Sequence, residues 1–246
     1  MKVCYYFYMD LKTEIKNKKL IIFDLDGTLI DSLEIWNRVD EKLVSIIRGD
    51  GKTTIDNMQV VRNEALRLFA TSPNPYEDYC GRLKELYQSK MSFEEIFTLR
   101  YNIAGKMLVE DINYKPYAPE FIKKLKAEGK ILAIASAAQG KNMNIYRTQN
   151  QNLISKARFD DYFDIIYTRN DCKEIKPNPE VFLKVLDTTG ISAEDAFVFE
   201  DALVGIEASK KAGIKCCAVY DRFSDHERDE INALADYTID SYQELL

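Results

Sequence analysis

Short apolar runs alternate with amphipathic helical patterns along most of the chain, and this alternation constrains the fold more than any other feature. The apolar runs lie at residues 20–23, 131–135, 165–167, 196–199, 216–219 and, more weakly, 237–239. The helical patterns lie at 119–128, 179–189, 203–212 and 225–234. Strands that alternate with helices are typical of a parallel sheet covered on both faces. We therefore predict an α/β fold.

The interval 33–113 breaks this alternation. It contains no convincing strand, and its apolar residues recur at helical spacing in four stretches rich in Leu, Glu, Lys and Arg. These stretches read EIWNRVDEKLVSII, MQVVRNEALRLFA, PYEDYCGRLKELYQ and SFEEIFTLRYNIAGKML. We predict an α/β core formed by residues 1–32 and 114–246, with an all-helical domain at 33–113 inserted after the first strand.

The charge balance argues against nucleic acid as a partner. The chain has 34 Lys and Arg against 40 Asp and Glu, a net charge of −6, and its basic residues are scattered among acids. No run approaches the length of a membrane span, and the first residues lack the unbroken apolar stretch of a signal peptide. We expect a cytoplasmic monomer that binds neither nucleic acid nor membrane.

The cysteines do not form a metal-binding or disulfide pattern. They have no C-x-x-C spacing, and the adjacent pair lies in the apolar run IKCCAVY. We therefore interpret them as reduced thiols, with the pair as small buried residues on a strand. The cysteines are Cys4, Cys80, Cys172, Cys216 and Cys217.

Two carboxylates follow the first predicted strand, in the segment FDLDGT. Asp24 and Asp26 come at the carboxyl end of that strand, which is where open α/β sheets bind ligands. Alone, the pair could be a polar turn, because D-G is common in turns. Further polar residues follow other predicted strands or precede a helix, and together they predict a site for a phosphate and a metal at one sheet edge. These residues are Ser136, Ala137, Lys176, Glu200 and Asp201.

These ordered motifs resemble those of the haloacid dehalogenase-like superfamily, over about residues 18–246. The resemblance implies a Rossmann-like core with a helical cap, as in enzymes similar to phosphoglycolate phosphatase and β-phosphoglucomutase. It also implies that Asp24 attacks phosphorus and that Asp26 protonates the leaving oxygen. Mg²⁺ would be held by Asp24, the backbone carbonyl of Asp26 and Asp201, with Glu200 ligating directly or through water. Ser136, the amide of Ala137 and Lys176 would hold the phosphate, and Thr28 would assist there or orient Asp24.

The resemblance leaves two activities open. The expected one is a Mg²⁺-dependent phosphohydrolase that acts on a small phosphorylated metabolite through a phosphoaspartate intermediate. The alternative is a sugar-phosphate mutase, although Thr28 and Trp36 replace residues that are usual in β-phosphoglucomutases. The polar stretch between Ser136 and Lys176 is longer than expected, so it is interpreted as a surface loop or as a contact to the cap. Candidate anion partners, each also an ordinary surface charge, are Arg48, Lys52, Arg62 and Lys115.

Overall fold

The computed structural model describes residues 11–49 and 57–246. In this part of the chain, six parallel strands form one sheet in the order β3-β2-β1-β4-β5-β6. The strands are β1 Leu20–Phe23, β2 Ile131–Ala135, β3 Ile165–Tyr167, β4 Ala196–Glu200, β5 Lys215–Val219 and β6 Tyr237–Ile239. The predicted parallel sheet is confirmed, and its strand bounds differ from the expected ones by at most one residue.

Both faces of the sheet are buried, which explains why its strands are continuous apolar runs. On β1, Ile21 and Phe23 pack into one apolar cluster, whereas Leu20 and Ile22 pack into a second cluster on the opposite face. Successive side chains of a strand point to opposite faces, so every position of a doubly covered strand must be apolar. Phe23 also stacks on Phe199 of β4, with ring centroids 5.1 Å apart.

Four α-helices follow β1 within the described residues of 33–113, as the helical patterns predicted, and seven more α-helices follow them along the described chain. The four are α1 Leu33–Ile47, α2 Met58–Leu68, α3 Pro75–Leu86 and α4 Phe93–Glu110. The seven are α5 Ala118–Ala127, α6 Gly140–Thr148, α7 Gln151–Ala157, α8 Phe159–Tyr162, α9 Glu180–Thr189, α10 Leu203–Lys211 and α11 Arg228–Leu234. Residues from α5 to α8 cover one face of the sheet, and residues from α9 to α11 cover the other.

Helices α1 to α4, which we call the cap, have an apolar cluster of their own. It includes Leu43, Met58, Leu83 and Ile96, one from each of the four helices. Other residues of α1 and α4, such as Val39 and Leu108, instead join the cluster beneath the sheet. A separate apolar cluster supports the predicted domain division, which remains a prediction at its exact bounds.

The polar part of the stretch between Ser136 and Lys176 is helical, so its interpretation as a surface loop is wrong. It forms α6, α7 and α8, and polar residues at the start of α7 contact the end of the cap helix α4. Asn150 donates hydrogen bonds to the carbonyls of Leu108 and Ile112, at 2.8 and 3.1 Å. The last carbonyls of a helix have no partner within the helix, so side chains from this segment satisfy them. The alternative interpretation, a contact to the cap, is the one observed.

One predicted helix begins later than expected. The pattern at 225–234 predicted a single helix, but a 3-10 helix at Arg222–Glu227 precedes α11. The carboxylate of Asp221 accepts a hydrogen bond from the amide of Phe223 at 2.8 Å, which starts this tighter turn.

The cysteines within the described residues are free thiols, as predicted. Cys80, Cys216 and Cys217 are buried, Cys172 is half-buried, and Cys4 lies outside the described residues. Among the described helices, none is long and apolar enough to cross a membrane.

Candidate active site

Asp24 extends the pairing of β1 and points into the site at the carboxyl edge of the sheet. Its amide donates to the carbonyl of Phe199 at 2.9 Å, so the position is set by the sheet itself. Gly27 then turns the chain with a φ of +88°, a conformation that glycine adopts without steric cost. A Cβ on Gly27 would lie 2.4 Å from Oδ2 of Asp201. Glycine here therefore permits both the turn and the close approach of β4.

Lys176 joins the ends of three strands. Its Nζ donates to Oδ1 of Asp24 at 2.6 Å, to Oε1 of Glu200 at 2.6 Å and to the carbonyl of Ala135 at 2.9 Å. Burial alone would lower the pKa of Lys176, but the two carboxylates outweigh burial and raise it. The ammonium group therefore stays charged between two acids.

Glu200 is fixed on both of its oxygens. Oε1 accepts from Lys176, and Oε2 accepts from the amides of Asp201 and Ala202 at 2.9 and 3.2 Å. Gly205 in α10 leaves room for this carboxylate, because a Cβ there would lie 1.7 Å from Oε1. The sequence patterns did not identify Gly205 as a site residue.

Thr28 does not occupy the position expected for it. It is fully buried, and its hydroxyl donates to Oδ1 of Asp201 at 2.7 Å. The hydroxyl therefore binds the acid that directly follows β4, rather than Asp24 or the cavity where a phosphate would bind. The physical reason is the sharp turn at Gly27, which directs the residue after it toward β4.

Three buried carboxylates meet in one place. Asp24, Glu200 and Asp201 each offer an oxygen within 4.8 Å of the others. Burial raises the pKa of Asp24 to about 7, with Lys176 opposing this shift and Glu200 adding to it. Burial, followed by the charges of Glu200 and Asp24, raises the pKa of Asp201. Neighbouring carboxylates repel one another when all are ionised, and one lysine lies among these three. A hard divalent cation such as Mg²⁺, which prefers oxygen ligands, would offset the remaining negative charge.

Asp26 lies beside this cluster in a different environment. Burial raises the pKa of its carboxyl group, and a hydrogen bond from the Ser32 hydroxyl to Oδ1, at 2.5 Å, opposes that shift. Ser32, which is not among the predicted site residues, therefore contacts a site carboxylate. A carboxyl group with a raised pKa is suited to hold and release a proton.

Ser136 and Ala137 form a tight turn after β2 that the cap contacts directly. The Ser136 hydroxyl accepts a hydrogen bond from the amide of Ala138 at 3.0 Å, and the amide of Ser136 donates to the carbonyl of Tyr167 on β3. Tyr76, from cap helix α3, donates from its hydroxyl to the carbonyl of Ala137 at 3.0 Å. Cap and core therefore meet at the turn expected to hold a phosphate.

A cavity of about 150 Å³ lies between the cap and the sheet edge. From the sheet side it is lined by Asp24, Asp26, Ser136, Ala137, Lys176, Glu200 and Asp201, so the structure brings together every predicted site residue except Thr28. From the cap side it is lined by residues that include Trp36, Arg62, Tyr76, Arg100 and Tyr101.

A buried charge network supports the cap side of the cavity. Asp40 accepts hydrogen bonds from Arg62 and from Arg100, whose Nε lies 2.6 Å from Oδ1. The guanidinium of Arg100 also lies over the ring of Trp36, 4.6 Å from its centroid. Arg62 is therefore not the surface charge that the sequence suggested.

The other candidate anion partners lie elsewhere. Lys115 pairs with Asp221 at 2.7 Å, Arg48 lies over the ring of Tyr87, and Lys52 falls outside the described residues. The exposed His226 does not line the cavity.

Arg100 and Asp40 belong to no sequence motif of the site, although the sequence contains a signal for them. The buried residues of α4 are Ile96, Arg100, Ala104 and Leu108, each four positions from the next. Arginine thus occupies the apolar stripe of an amphipathic helix, and a buried charge requires a partner. Asp40 interrupts the buried stripe of α1 in the same way.

Comparison with known proteins agrees with this geometry. The sequence model of the family described as haloacid dehalogenase-like hydrolase matches residues 21–219. The chain is 28% identical over 201 residues to phosphorylated carbohydrates phosphatase of Thermotoga maritima, covering 79% of this chain and 82% of that protein. It is 27% identical over 197 residues to phosphoglycolate phosphatase of Aquifex aeolicus, covering 80% of this chain and 82% of that protein.

A solved structure shares the fold over nearly the full length. A mutant of CbbY from Rhodobacter sphaeroides, in complex with xylulose-1,5-bisphosphate, superposes with a TM-score of 0.73. The identity is 22%, and the match covers 93% of this chain and 96% of that chain. With the family match over most of the chain and the ordered acids at the sheet edge, this protein belongs to the haloacid dehalogenase-like hydrolases.

Proposed function

We propose that the protein is a Mg²⁺-dependent phosphohydrolase that removes phosphate from a small organic phosphomonoester. The observation that supports this most strongly is the bridge of Lys176 between Asp24 and Glu200, beside Asp201 and inside one cavity. A carboxylate nucleophile, a fixed cation and a set of oxygen ligands are the parts that phosphoryl transfer through an aspartate requires.

In the first proposed step, a carboxylate oxygen of Asp24 attacks phosphorus and the ester P–O bond breaks. The electron pair of that bond goes to the leaving oxygen, which takes a proton from Asp26. The raised pKa of Asp26 favours this role, since the group must hold a proton before it can donate one. The products of this step are a phosphoaspartate and the free alcohol.

In the second step, water attacks the phosphorus of the phosphoaspartate. Asp26, now ionised, accepts a proton from that water while the bond between phosphorus and the Asp24 oxygen breaks. Inorganic phosphate leaves and Asp24 is restored. The hydrogen bond from Ser32 would hold the Asp26 carboxyl in one orientation through both steps.

The remaining residues would bind and orient the phosphate. Lys176 would offset negative charge near the nucleophile, and the Ser136 hydroxyl with the Ala137 amide would hold a phosphate oxygen. Asp24, Asp201 and the backbone carbonyl of Asp26 would hold Mg²⁺, with Glu200 ligating directly or through water. A divalent cation supplies the charge that lets an anionic carboxylate approach an anionic phosphate.

The sugar-phosphate mutase alternative is not favoured. The two relatives compared at 27% and 28% identity both have names that describe phosphatases. The structural neighbour binds a sugar bisphosphate, but its 22% identity supports only the fold. A phosphorylated small molecule is therefore the proposed substrate class, with hydrolysis as the reaction.

The test is hydrolysis of p-nitrophenyl phosphate by the purified protein, with Mg²⁺ and with EDTA. We expect release of p-nitrophenol that requires Mg²⁺ and is lost in Asp24→Asn and Asp26→Asn. Asp187→Asn is the matched control, because Asp187 is exposed on α9, away from the cavity. Activity that persists in Asp24→Asn would contradict the nucleophile assignment.

A further inference from the structure

One polar side chain of the core lines the cavity without a partner. Asn142, in the first turn of α6, is 4% exposed, and its Oδ1 has no hydrogen-bond partner among the described residues. It lines the same cavity as Asp24 and Asp26. A buried acceptor left without a donor destabilises a protein, so such a group is usually satisfied by water or by a ligand.

A second buried polar group lies one helical turn away. The hydroxyl of Tyr146 is also buried, with the Trp36 side chain close to it, and residues four apart lie on the same face of a helix. Tyr146 lies close enough to Asp26 for that carboxylate to raise its pKa, after the larger effect of burial. This face of α6 thus presents the unsatisfied amide oxygen of Asn142 to the cavity that holds the proposed proton donor, with the buried hydroxyl of Tyr146 one turn away.

We propose that Asn142 is a specificity-determining residue that recognises a hydroxyl group on the leaving group of the substrate. This inference rests on the proposed function and deepens it by naming the substrate class as a phosphomonoester of a small polyol. The leaving group must occupy the part of the cavity beyond the phosphate. Asn142 lines that cavity from the side of the core.

The chemistry of the amide selects a hydroxyl. The amide oxygen of Asn142 accepts a hydrogen bond, and its NH₂ group donates one. A hydroxyl group can act as donor or as acceptor, so it can bind Asn142 in either orientation of the amide. An ammonium group is disfavoured, because Arg62 and Arg100 line the cavity and share one buried carboxylate, Asp40. The cap side of the cavity therefore has an excess of positive charge.

The volume of the cavity limits the size of the polyol. A cavity of about 150 Å³ is comparable to an engineered cavity that binds benzene. A leaving group of a few carbon atoms fits beside the phosphate when the cap is closed. The hydrogen bond from Tyr76 of the cap to the carbonyl of Ala137 in the core defines this closed form.

The test compares glycerol phosphate with propyl phosphate, which have the same carbon chain and differ in hydroxyl groups. For the wild-type protein we expect kcat/KM to be about 10-fold higher for glycerol phosphate, the effect of one buried hydrogen bond. In Asn142→Leu, which is close in size, we expect the ratio of the two values to fall to about 1. Asn144→Leu, at an exposed position of the same helix, should keep the wild-type ratio.

The outcomes separate this inference from the proposed function. A wild-type protein that hydrolyses p-nitrophenyl phosphate but does not distinguish the two esters overturns the role of Asn142 alone. The same conclusion follows if Asn142→Leu keeps the wild-type ratio, or if Asn144→Leu loses it equally. If Asn142→Leu does not fold, Asn142→Ala is measured and judged by the same ratio. Absence of any phosphate release by the wild type refutes the proposed function itself.

Discussion

Replacing Gly205 by alanine should damage the site, although the same change usually stabilises a helix. Gly205 lies inside α10, where alanine is favoured over glycine by about 1 kcal/mol. The added Cβ, however, would lie 1.7 Å from Oε1 and 1.9 Å from Cδ of Glu200. Atoms cannot approach so closely, so Glu200 must leave its position.

The cost follows from what Glu200 contacts. Moving it breaks the 2.6 Å hydrogen bond to Lys176 and removes the acceptor of two backbone amides. Breaking a buried ion pair destabilises a protein by about 3–5 kcal/mol, and the helix gain offsets about 1 kcal/mol. We expect a net loss of roughly 2–4 kcal/mol in the free energy of unfolding, with a Tm lower by roughly 5–15 °C.

The assay is thermal unfolding of Gly205→Ala beside Gly105→Ala. Gly105 lies inside α4, and a Cβ added there meets nothing within 4 Å, so we expect its Tm to equal or exceed that of the wild type. Hydrolysis of p-nitrophenyl phosphate by Gly205→Ala should fall by about 100-fold, since a displacement of about 1 Å in an active site has that effect. If Gly205→Ala is as stable and as active as Gly105→Ala, the close approach of α10 to Glu200 is not required, and the reasoning is refuted.

Further predictions concern the cap and the cysteines. Asp40→Asn should lower the free energy of unfolding by about 3–5 kcal/mol, because it leaves two buried arginines without their acid; chemical denaturation measures this. Burial would raise the pKa of Asp40, but the arginines outweigh burial and hold it below its usual value. Its stabilisation is therefore present above about pH 4 and lost as pH falls further, and an acid titration of Asp40→Asn should lack this component. Tyr76→Phe should reduce kcat/KM by roughly 3- to 10-fold through loss of its hydrogen bond to the core; an unchanged value would count against that contact. Burial raises the pKa of Cys216 to about 11, so iodoacetamide at pH 8 should label it only after unfolding, as peptide mass analysis would show.

The sheet could be read from the sequence because of how its strands are buried. A parallel strand covered on both faces must be apolar at every position, so each strand appears as an unbroken apolar run that ends where polar residues begin. Asp24, Ser136 and Glu200 lie at or just after the ends of β1, β2 and β4, and the ends of parallel strands meet at one edge. Sequence order and strand ends were therefore enough to predict that these side chains converge.

The helical pattern of the cap was likewise predictable, but the partners of its charged residues were not. Periodicity shows that Arg100 lies on the buried face of α4, yet its pairing with Asp40 depends on how α1 and α4 pack. The same limit applied to Tyr76, which no feature of the sequence distinguished from the other cap tyrosines.

The sequence by itself determined which strands and helices follow one another along the chain, and which acids lie at the sheet edge. Both follow from local apolar patterns and from the positions where strands end. Only the tertiary structure decided that Thr28 binds Asp201, that Gly205 must lack a side chain, and that Asn142 lines the cavity without a partner. The physical reason is that each of these depends on distances of a few ångströms between segments far apart in the chain. Such distances are set by packing of the whole core, which no local pattern encodes.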